Sequence, residues 1–371
     1  MTTDPPYEWA ACIGRFQLFH DAQLALIRTA LELAPRCAVL IGSAFQARSP
    51  RNPFTFQERV ETIRLALTED ERQRVDFAAI RDTFDEKRWV VQVQAAMAKL
   101  TGSDRTRVVL VGHRKDPTGE YLDDFPGWPL HDIGRMGEIH GKALRAALFS
   151  ADSLDASLAA IASQVPASTI AFVRAWAQLP FLARLRQEWQ ELAEEHDKWA
   201  CAPYPPVFVT VDAVVRVADQ VLLIRRGRAP GKGLLAMPGG FIEQRETAYQ
   251  SAVRELQEET GFELFPPEME HALKAVRVFD HPDRSQRGRV ITHAFYFDFG
   301  ARMLPEIAGS DDAAEARWVP IAQLPSLEEQ FHDDHFHILD AFLGITKDGV
   351  PPPRPSPGGG GRNTTTSPAP D

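Results

Sequence analysis

The strongest constraint on this 371-residue chain lies between Gly240 and Phe262. Thr247 and Gln250 have the form of a capping box, which starts a helix by satisfying its first backbone N–H groups. Gly261 suits the stop, because glycine accepts the positive φ that follows a last helical turn. On a helix of 3.6 residues per turn, Glu255, Glu258 and Glu259 fall within roughly 100° of arc. Tyr249, Val253 and Leu256 fall on a neighbouring arc and suit a core. Three carboxylates on one stripe repel each other and weaken a bare helix. Hard divalent cations with oxygen ligands relieve that repulsion, and Mg²⁺ bridging substrate phosphates is the common case. Arg254 is placed to pair with a carboxylate and hold its orientation. A solvated acidic face is the plainer reading of a Glu-Glu pair alone, but Gly240, Glu246 and Arg254 at their spacings argue against it.

Those spacings resemble the Nudix box, G-x5-E-x7-R-E-U-x-E-E-x-G-U with U apolar. Gly240, Glu246, Arg254, Glu255, Leu256, Glu258, Glu259, Gly261 and Phe262 meet every fixed position. The resemblance implies attack of water on a nucleoside diphosphate linked to another group. It implies Mg²⁺, with Mn²⁺ as the alternative, bound by Glu255, Glu258 and Glu259, with the Gly240 carbonyl and Glu246 close by. The acidic stripe is then expected to face solvent and metal. The general base is Glu258 or Glu259, or comes from a later loop, where Asp311, Asp312 and Glu315 are candidates and equally well ordinary solvated acids.

A chain of this length exceeds one ordinary core, so two domains are expected. Apolar residues make up 44% and charged residues 25%, as in most globular proteins. A net charge of −10 argues against a nucleic-acid or membrane-surface partner. Phosphate substrates remain open, since metal ions and local arginines handle them. Cys12, Cys37 and Cys201 show no pairing or C-x-x-C spacing, which fits a reducing cytoplasm with the first two buried. The N-terminus lacks a basic region followed by an apolar core, and no apolar run reaches transmembrane length. A cytoplasmic location is expected.

Short apolar runs at 8–13, 37–41, 75–80 and 108–111 read as buried strands, and helical spacing follows at about 24–31, 56–67 and 89–100. Continuous apolar strands alternating with helices predict a parallel α/β sheet. Ligands of such sheets sit at the carboxyl ends of the strands, where residues 14–20, Ser43, Asp82 and 112–116 fall. Residues 142–199 read as helical. The prolines in 199–206 mark a junction. A hairpin is expected over 207–217 and 221–224, a strand over 290–299 and a helix over 333–343. The expected domains are 1–199 and 200–346, followed by a disordered tail at 347–371 that is rich in Pro, Gly, Ser and Thr.

Gly14-Arg15-Phe16-Gln17-Leu18-Phe19-His20 follows a strand and precedes a helix, a context that suits phosphate at a helix N-terminus. It resembles the G-R-F-Q-P-x-H-x-G-H signature of nicotinamide mononucleotide adenylyltransferases. Further segments agree with two-domain adenylyltransferase/Nudix proteins: Gly42-Ser43-Ala44, Arg51-Asn52-Pro53-Phe54-Thr55 with Glu58-Arg59, and Gly112-His113-Arg114-Lys115-Asp116 with Tyr121-Leu122 and 125–128. The resemblance implies a Rossmann-like nucleotidyltransferase domain followed by a Nudix α/β/α sandwich. It implies in-line attack of the nicotinamide mononucleotide phosphate on the α-phosphate of ATP, giving NAD and pyrophosphate, and hydrolysis of ADP-ribose to AMP and ribose 5-phosphate. His20 would bind triphosphate, Arg51 and Arg145 would face phosphates, and Asp82 and Trp89 would hold the nicotinamide. Gly14, Arg15, Phe16, Gln23, Ser43, Gly112, His113 and Lys142 complete the expected nucleotide contacts.

Three departures from the signature stand out. Leu18 replaces proline, Ala22-Gln23 replaces Gly-His, and His140-Gly141-Lys142 replaces a Ser-Gly-Thr-like motif. Glutamine donates only a neutral hydrogen bond where a charged donor would be about twice as strong. These departures leave open a Nudix hydrolase with a silent nucleotide-binding first half, and the Nudix resemblance itself leaves open an ADP-ribose-sensing regulator. The sequence does not decide between a monomer and a homo-oligomer.

Overall fold

The computed structural model describes residues 6–113, 125–134, 139–151, 153–263 and 265–346. Five short strands build its first sheet: β1 (Trp9–Gly14), β2 (Arg36–Ile41), β3 (Val75–Ala79), β4 (Val108–Gly112) and β5 (Leu130–Asp132), in the order β3-β2-β1-β4-β5. Every pairing in it is parallel. Helices α1 (Asp21–Leu33), α2 (Phe56–Ala66), α3 (Glu69–Arg74) and α4 (Glu86–Thr101) lie in the connections. Successive strand residues point to opposite faces. Cys12, Val39 and Val111 pack with Ile27 and Ile63 on one side. Ala11, Leu40 and Leu110 pack with Val90, Val93 and Met97 on the other. Both faces are covered, which is why the strands read as unbroken apolar runs. Cys12 and Cys37 are buried in neighbouring strands, with their Sγ atoms 3.9 Å apart, and Cys201 is exposed.

The helical stretch resolves into α5 (Gly141–Ser150), α6 (Leu154–Ile161), α7 (Ala167–Trp176) and α8 (Phe181–Lys198). Their shared core of Leu144, Leu148, Ile161, Val173 and Leu185 also takes in Leu18 and Phe54. The helices therefore grip the loop after β1. Lys198 ends α8, and the next strand begins at Val207.

The second sheet contains β6 (Val207–Val217), β7 (Gln220–Arg226), β8 (Leu235–Ala236), β9 (Gly239–Phe241), β10 (Leu273–Phe279), β11 (Arg289–Asp298) and β12 (Ala313–Pro320). Its order is β10-β11-β6-β7-β12, with β8 on β7 and β9 on β6. β6 and β11 run parallel, and the other pairings are antiparallel. Helix α9 (Ala248–Thr260) covers one face through Leu256, against Val211, Ala213 and Phe297. After α10 (Pro266–Ala272) and the single turn α11 (Leu324–Leu327), α12 (His335–Leu343) covers the other face through Ile338 and Leu339. The result is a helix–sheet–helix sandwich. The expected hairpin, the strand over 290–299 and the last helix are all present. Strands β10 and β12 were not anticipated. The expected motifs at 114–116 and 121–122 and the tail from 347 lie outside the described residues. No helix among the described residues is long and apolar enough to cross a membrane.

Candidate functional site

The strand order of the first sheet reverses direction beside β1, and a crevice at the carboxyl ends of its strands is where such folds bind ligands. The loop after β1 is shaped for that position. Phe16 and Leu18 adopt positive φ (50° and 65°). The Gln17 amide donates to the Phe54 carbonyl and accepts from the Phe54 N–H, both at 3.0 Å. Beneath it, the buried Arg59 donates to the carbonyls of Arg15 and Gly42 at 2.7 Å and of Ser43 at 3.1 Å. Burial, more than any neighbour, lowers the Arg59 pKa to about 10. Arg59 ties the loop after β1 to the loop after β2, and only its place in the Glu58-Arg59 segment hinted at it.

Arg145 reaches the same loop from α5, donating to the Gln17 carbonyl at 3.3 Å. Its pKa is also lowered to about 10, first by burial and then by repulsion from Arg15 and Arg51. Three guanidinium groups thus gather around one loop, and the charges felt by Arg145 are both positive. A cluster of like-charged guanidinium groups suits an anionic ligand. Gly141 lies against this cluster, since a Cβ there would meet Arg145 Nη1 at 3.3 Å. Lys142, the next residue, is exposed. Ser43 donates its N–H to Asp82 at 3.2 Å. Trp89 lies edge-on to Phe125, with ring centroids 5.9 Å apart. Gly112 ends β4, and His113 Nδ1 stands 3.7 Å from Asp132.

Three of the expected residues have a structural role here. The Phe16 ring is 2% exposed and packs in the core, so its side chain is no nucleotide contact. The Gln23 side-chain oxygen accepts the His20 N–H at 3.3 Å and so caps α1. Arg51 directs its guanidinium to Asp283 of the second half, at 2.7 Å from the carbonyl and 3.2 Å from the carboxylate.

The second site is built on α9. Thr247 accepts from the Gln250 N–H while the Gln250 side chain accepts from the Thr247 N–H, which fixes the helix start. Gly261 ends it at φ 63°. Arg254 binds Glu246 at 3.0 Å, Glu255 at 3.0 Å and Glu258 at 2.8 Å. Burial opposes the Arg254 charge, but these carboxylates outweigh it and raise its pKa. Burial also raises the pKa of Glu255. Glu259 is pushed up to about 8, first by burial and then by Glu255, although it accepts the Gly239 N–H at 2.9 Å. The expectation of a solvent-facing stripe fails at this residue: Glu259 is only 4% exposed. The 308–312 loop closes over the end of α9, donating the Ala308 N–H to Thr260 and the Ser310 N–H to Glu259. Of the late acids, Asp312 pairs with Arg228 and Glu315 with Arg225. Arg226, half-buried and feeling the Glu259 charge, has no signal of its own in the sequence.

The donors fit a divalent cation. They are all oxygens, and Glu255 lies so close to Gly240 that a Cβ there would meet its Oε1 at 2.3 Å. A carboxylate raised to about 8 by burial, and further by the neighbouring Glu255, gains from a metal ion. Among the described residues no three acidic or imidazole groups are already gathered at coordination distance, and Arg254 supplies the opposing charge.

A parallel sheet with an arginine-lined crevice, joined to a sandwich with a carboxylate helix, defines a nucleotidyltransferase coupled to a Nudix hydrolase. Family models agree, described as "Cytidylyltransferase-like" over residues 11–118 and "NUDIX domain" over 206–342. The nicotinamide/nicotinic acid mononucleotide adenylyltransferase of Acinetobacter baylyi is 29% identical over 185 residues, covering 50% of this chain and 94% of its own. The ADP-ribose pyrophosphatase of Methanocaldococcus jannaschii is 39% identical over 119 residues, 32% of this chain and 65% of its own. A solved bifunctional NMN adenylyltransferase/ADP ribose pyrophosphatase from Francisella tularensis is 31% identical, with TM-score 0.81, covering 91% of this chain and 99% of that one. A second structure of the Francisella protein contains AMP and a manganese ion. The chain belongs to the family of bifunctional NMN adenylyltransferase/ADP-ribose pyrophosphatases. The silent-half and regulator alternatives are not favoured.

Proposed function

We propose that the first half transfers the adenylyl group of ATP to nicotinamide mononucleotide, releasing pyrophosphate. The second half hydrolyses ADP-ribose to AMP and ribose 5-phosphate with Mg²⁺, or Mn²⁺ in its place. The placing of Arg15 and Arg51 in one cavity with Ser43 and Asp82, beside Arg145 on the Gln17 carbonyl, carries the first assignment. In our reading these arginines hold the triphosphate, and His20 at the start of α1 adds a donor. Asp82 and Trp89 take the nicotinamide end. The phosphate oxygen of nicotinamide mononucleotide then attacks the α-phosphorus in line, and the bond to the pyrophosphate oxygen breaks. Such catalysis is mostly positioning and charge stabilisation.

In the second half, Glu255, Glu258 and Glu259 would hold the divalent ion, with the Gly240 carbonyl and Glu246 adjoining. When bound, the ion neutralises the diphosphate and lowers the pKa of water. Arg254 positions the carboxylates through its bonds to Glu246, Glu255 and Glu258. Asp311, whose charge reaches Glu255, lies on the loop that covers the helix end. The test is direct: the purified full chain is supplied with ATP and nicotinamide mononucleotide, and separately with ADP-ribose and Mg²⁺. NAD in the first assay and AMP in the second support the reading; the lack of either removes that half of it.

A further inference from the structure

The two halves meet at the open end of the first sheet. The loops after β2 and β3, which carry Arg51 and Asp82, are covered by the second half. Arg81 binds Glu328 through two hydrogen bonds at 2.6 and 2.8 Å. The Phe84 ring lies 4.8 Å from His281 and 5.3 Å from His337. Between these contacts, the 280–288 connection of β10 and β11 reaches Arg51 itself. Its Asp283 carbonyl accepts from Arg51 Nη1 at 2.7 Å, and its carboxylate stands 3.2 Å from Nη2. Gln286 Oε1 accepts the Arg51 backbone N–H at 3.2 Å. A cavity runs between the halves, lined by Arg15, Ser43, Arg51 and Asp82 from one side and by Asp283 and Gln286 from the other.

The connection is braced, so it can hold something else in place. Arg284 forms a bidentate bond to Asp334 with both oxygens at 2.8 Å, and both side chains are buried. From the first half, His196 Nε2 on α8 lies 3.2 Å from the Gln286 carbonyl and 3.1 Å from that of Arg287. Glu195 adds a pair with Arg287 at 3.5 Å. Arg51, by contrast, sits on the 49–53 loop, close enough to Arg145 for the two charges to repel. A guanidinium in a like-charged cluster needs an acceptor outside the cluster to stay there. Asp283 is that acceptor for the guanidinium, and Gln286 fixes the Arg51 backbone through its N–H.

We infer that the Asp283 carboxylate and the Gln286 side-chain amide of the Nudix half position Arg51 for adenylyl transfer, holding it in the triphosphate-binding cluster of the other half. This rests on the adenylyltransferase reading given above. The two residues act through Arg51 and touch no reacting atom. Their effect falls on ATP binding rather than on the transfer step, because the geometry they set is that of a phosphate contact made before the reaction begins.

The test is a double-mutant cycle in the full chain: wild type, R51A, the double variant D283A/Q286A, and all three substitutions together. Steady-state adenylyl transfer gives KM for ATP, KM for nicotinamide mononucleotide and kcat, while ADP-ribose hydrolysis in the same preparations reports that the Nudix half is intact. Asp283 is largely exposed, so its pair is individually weak. The expected result for D283A/Q286A is a rise in ATP KM of about fivefold. The other KM, kcat and hydrolysis should stay within about twofold, and the R51A background should show no further rise. An unchanged ATP KM in D283A/Q286A overturns the inference, as does the same rise in the R51A background, where no guanidinium remains to be positioned. A wild-type chain that makes no NAD overturns the adenylyltransferase reading and this inference with it. A wild type that makes NAD and is matched by its variant overturns this inference alone.

Discussion

Glu259 accepts a hydrogen bond from the Gly239 backbone N–H at 2.9 Å, deep enough that only 4% of the residue is exposed. One neutral donor does not offset the burial of a carboxylate beside Glu255. The side chain therefore opposes folding where it is placed to hold a cation. Glu259→Gln keeps an acceptor for the Gly239 N–H and removes the charge. The variant is expected to melt no lower than wild type in a chelator at pH 7.5. Its Mg²⁺-dependent hydrolysis of ADP-ribose should fall at least about a hundredfold. Thermal melting beside a turnover assay checks both parts.

Gly240→Ala addresses the same centre from the strand side. The added Cβ would meet Glu255 Oε1 at 2.3 Å, and the end of a flexible side chain yields more readily than backbone. The Glu255 carboxylate is expected to move and the sheet to stay. A misplacement of about 1 Å in a catalytic group costs about a hundredfold in rate. Hydrolysis should drop by that order while adenylyl transfer is unchanged, as paired assays on one preparation will read.

Arg59→Met tests the brace under the transferase crevice. Methionine fills similar space but leaves the carbonyls of Arg15, Gly42 and Ser43 without their donor. Each unsatisfied buried group costs about 1–3 kcal/mol, partly offset by no longer burying a charge. A net loss of about 3 kcal/mol is expected in the first half. Denaturant melts followed through NAD formation should shift to lower concentration, with ADP-ribose hydrolysis less affected.

How far the sequence reveals this molecule depends on whether a feature is local. The strands of the first sheet are buried on both faces, so each shows as an apolar run, and the α9 box carries its own caps at Thr247 and Gly261. β10 alternates half-buried and exposed residues, with Lys274 and Arg277 among them, and leaves no such run. Helical arc placed Glu255, Glu258 and Glu259 together, but it carries no information on the 308–312 loop that covers one end of the stripe. The contacts of Arg81 with Glu328 and of Arg51 with Asp283 join residues 247 and 232 positions apart, and no periodicity reports them. Gln23 was legible as a departure; its use as a cap for the His20 N–H was not.

That cap sets the expectation for Gln23→His combined with Ala22→Gly. Losing the cap costs stability of about 1 kcal/mol. Restoring a charged donor beside His20 should raise adenylyl transfer about tenfold, equal to about 1.4 kcal/mol of transition-state stabilisation. ATP affinity should change far less, since the group acts on charge that develops during transfer. Rate and binding measured on the same variant separate the two effects.

The central claim is that one chain carries two independent nucleotide chemistries at the two sites described. The most direct measurement follows NAD and AMP formation in the full chain for wild type, His20→Ala and Glu258→Gln. The account predicts that His20→Ala loses NAD formation and keeps ADP-ribose hydrolysis, and that Glu258→Gln does the reverse. Loss of both activities in either variant, or of neither in both, would contradict it.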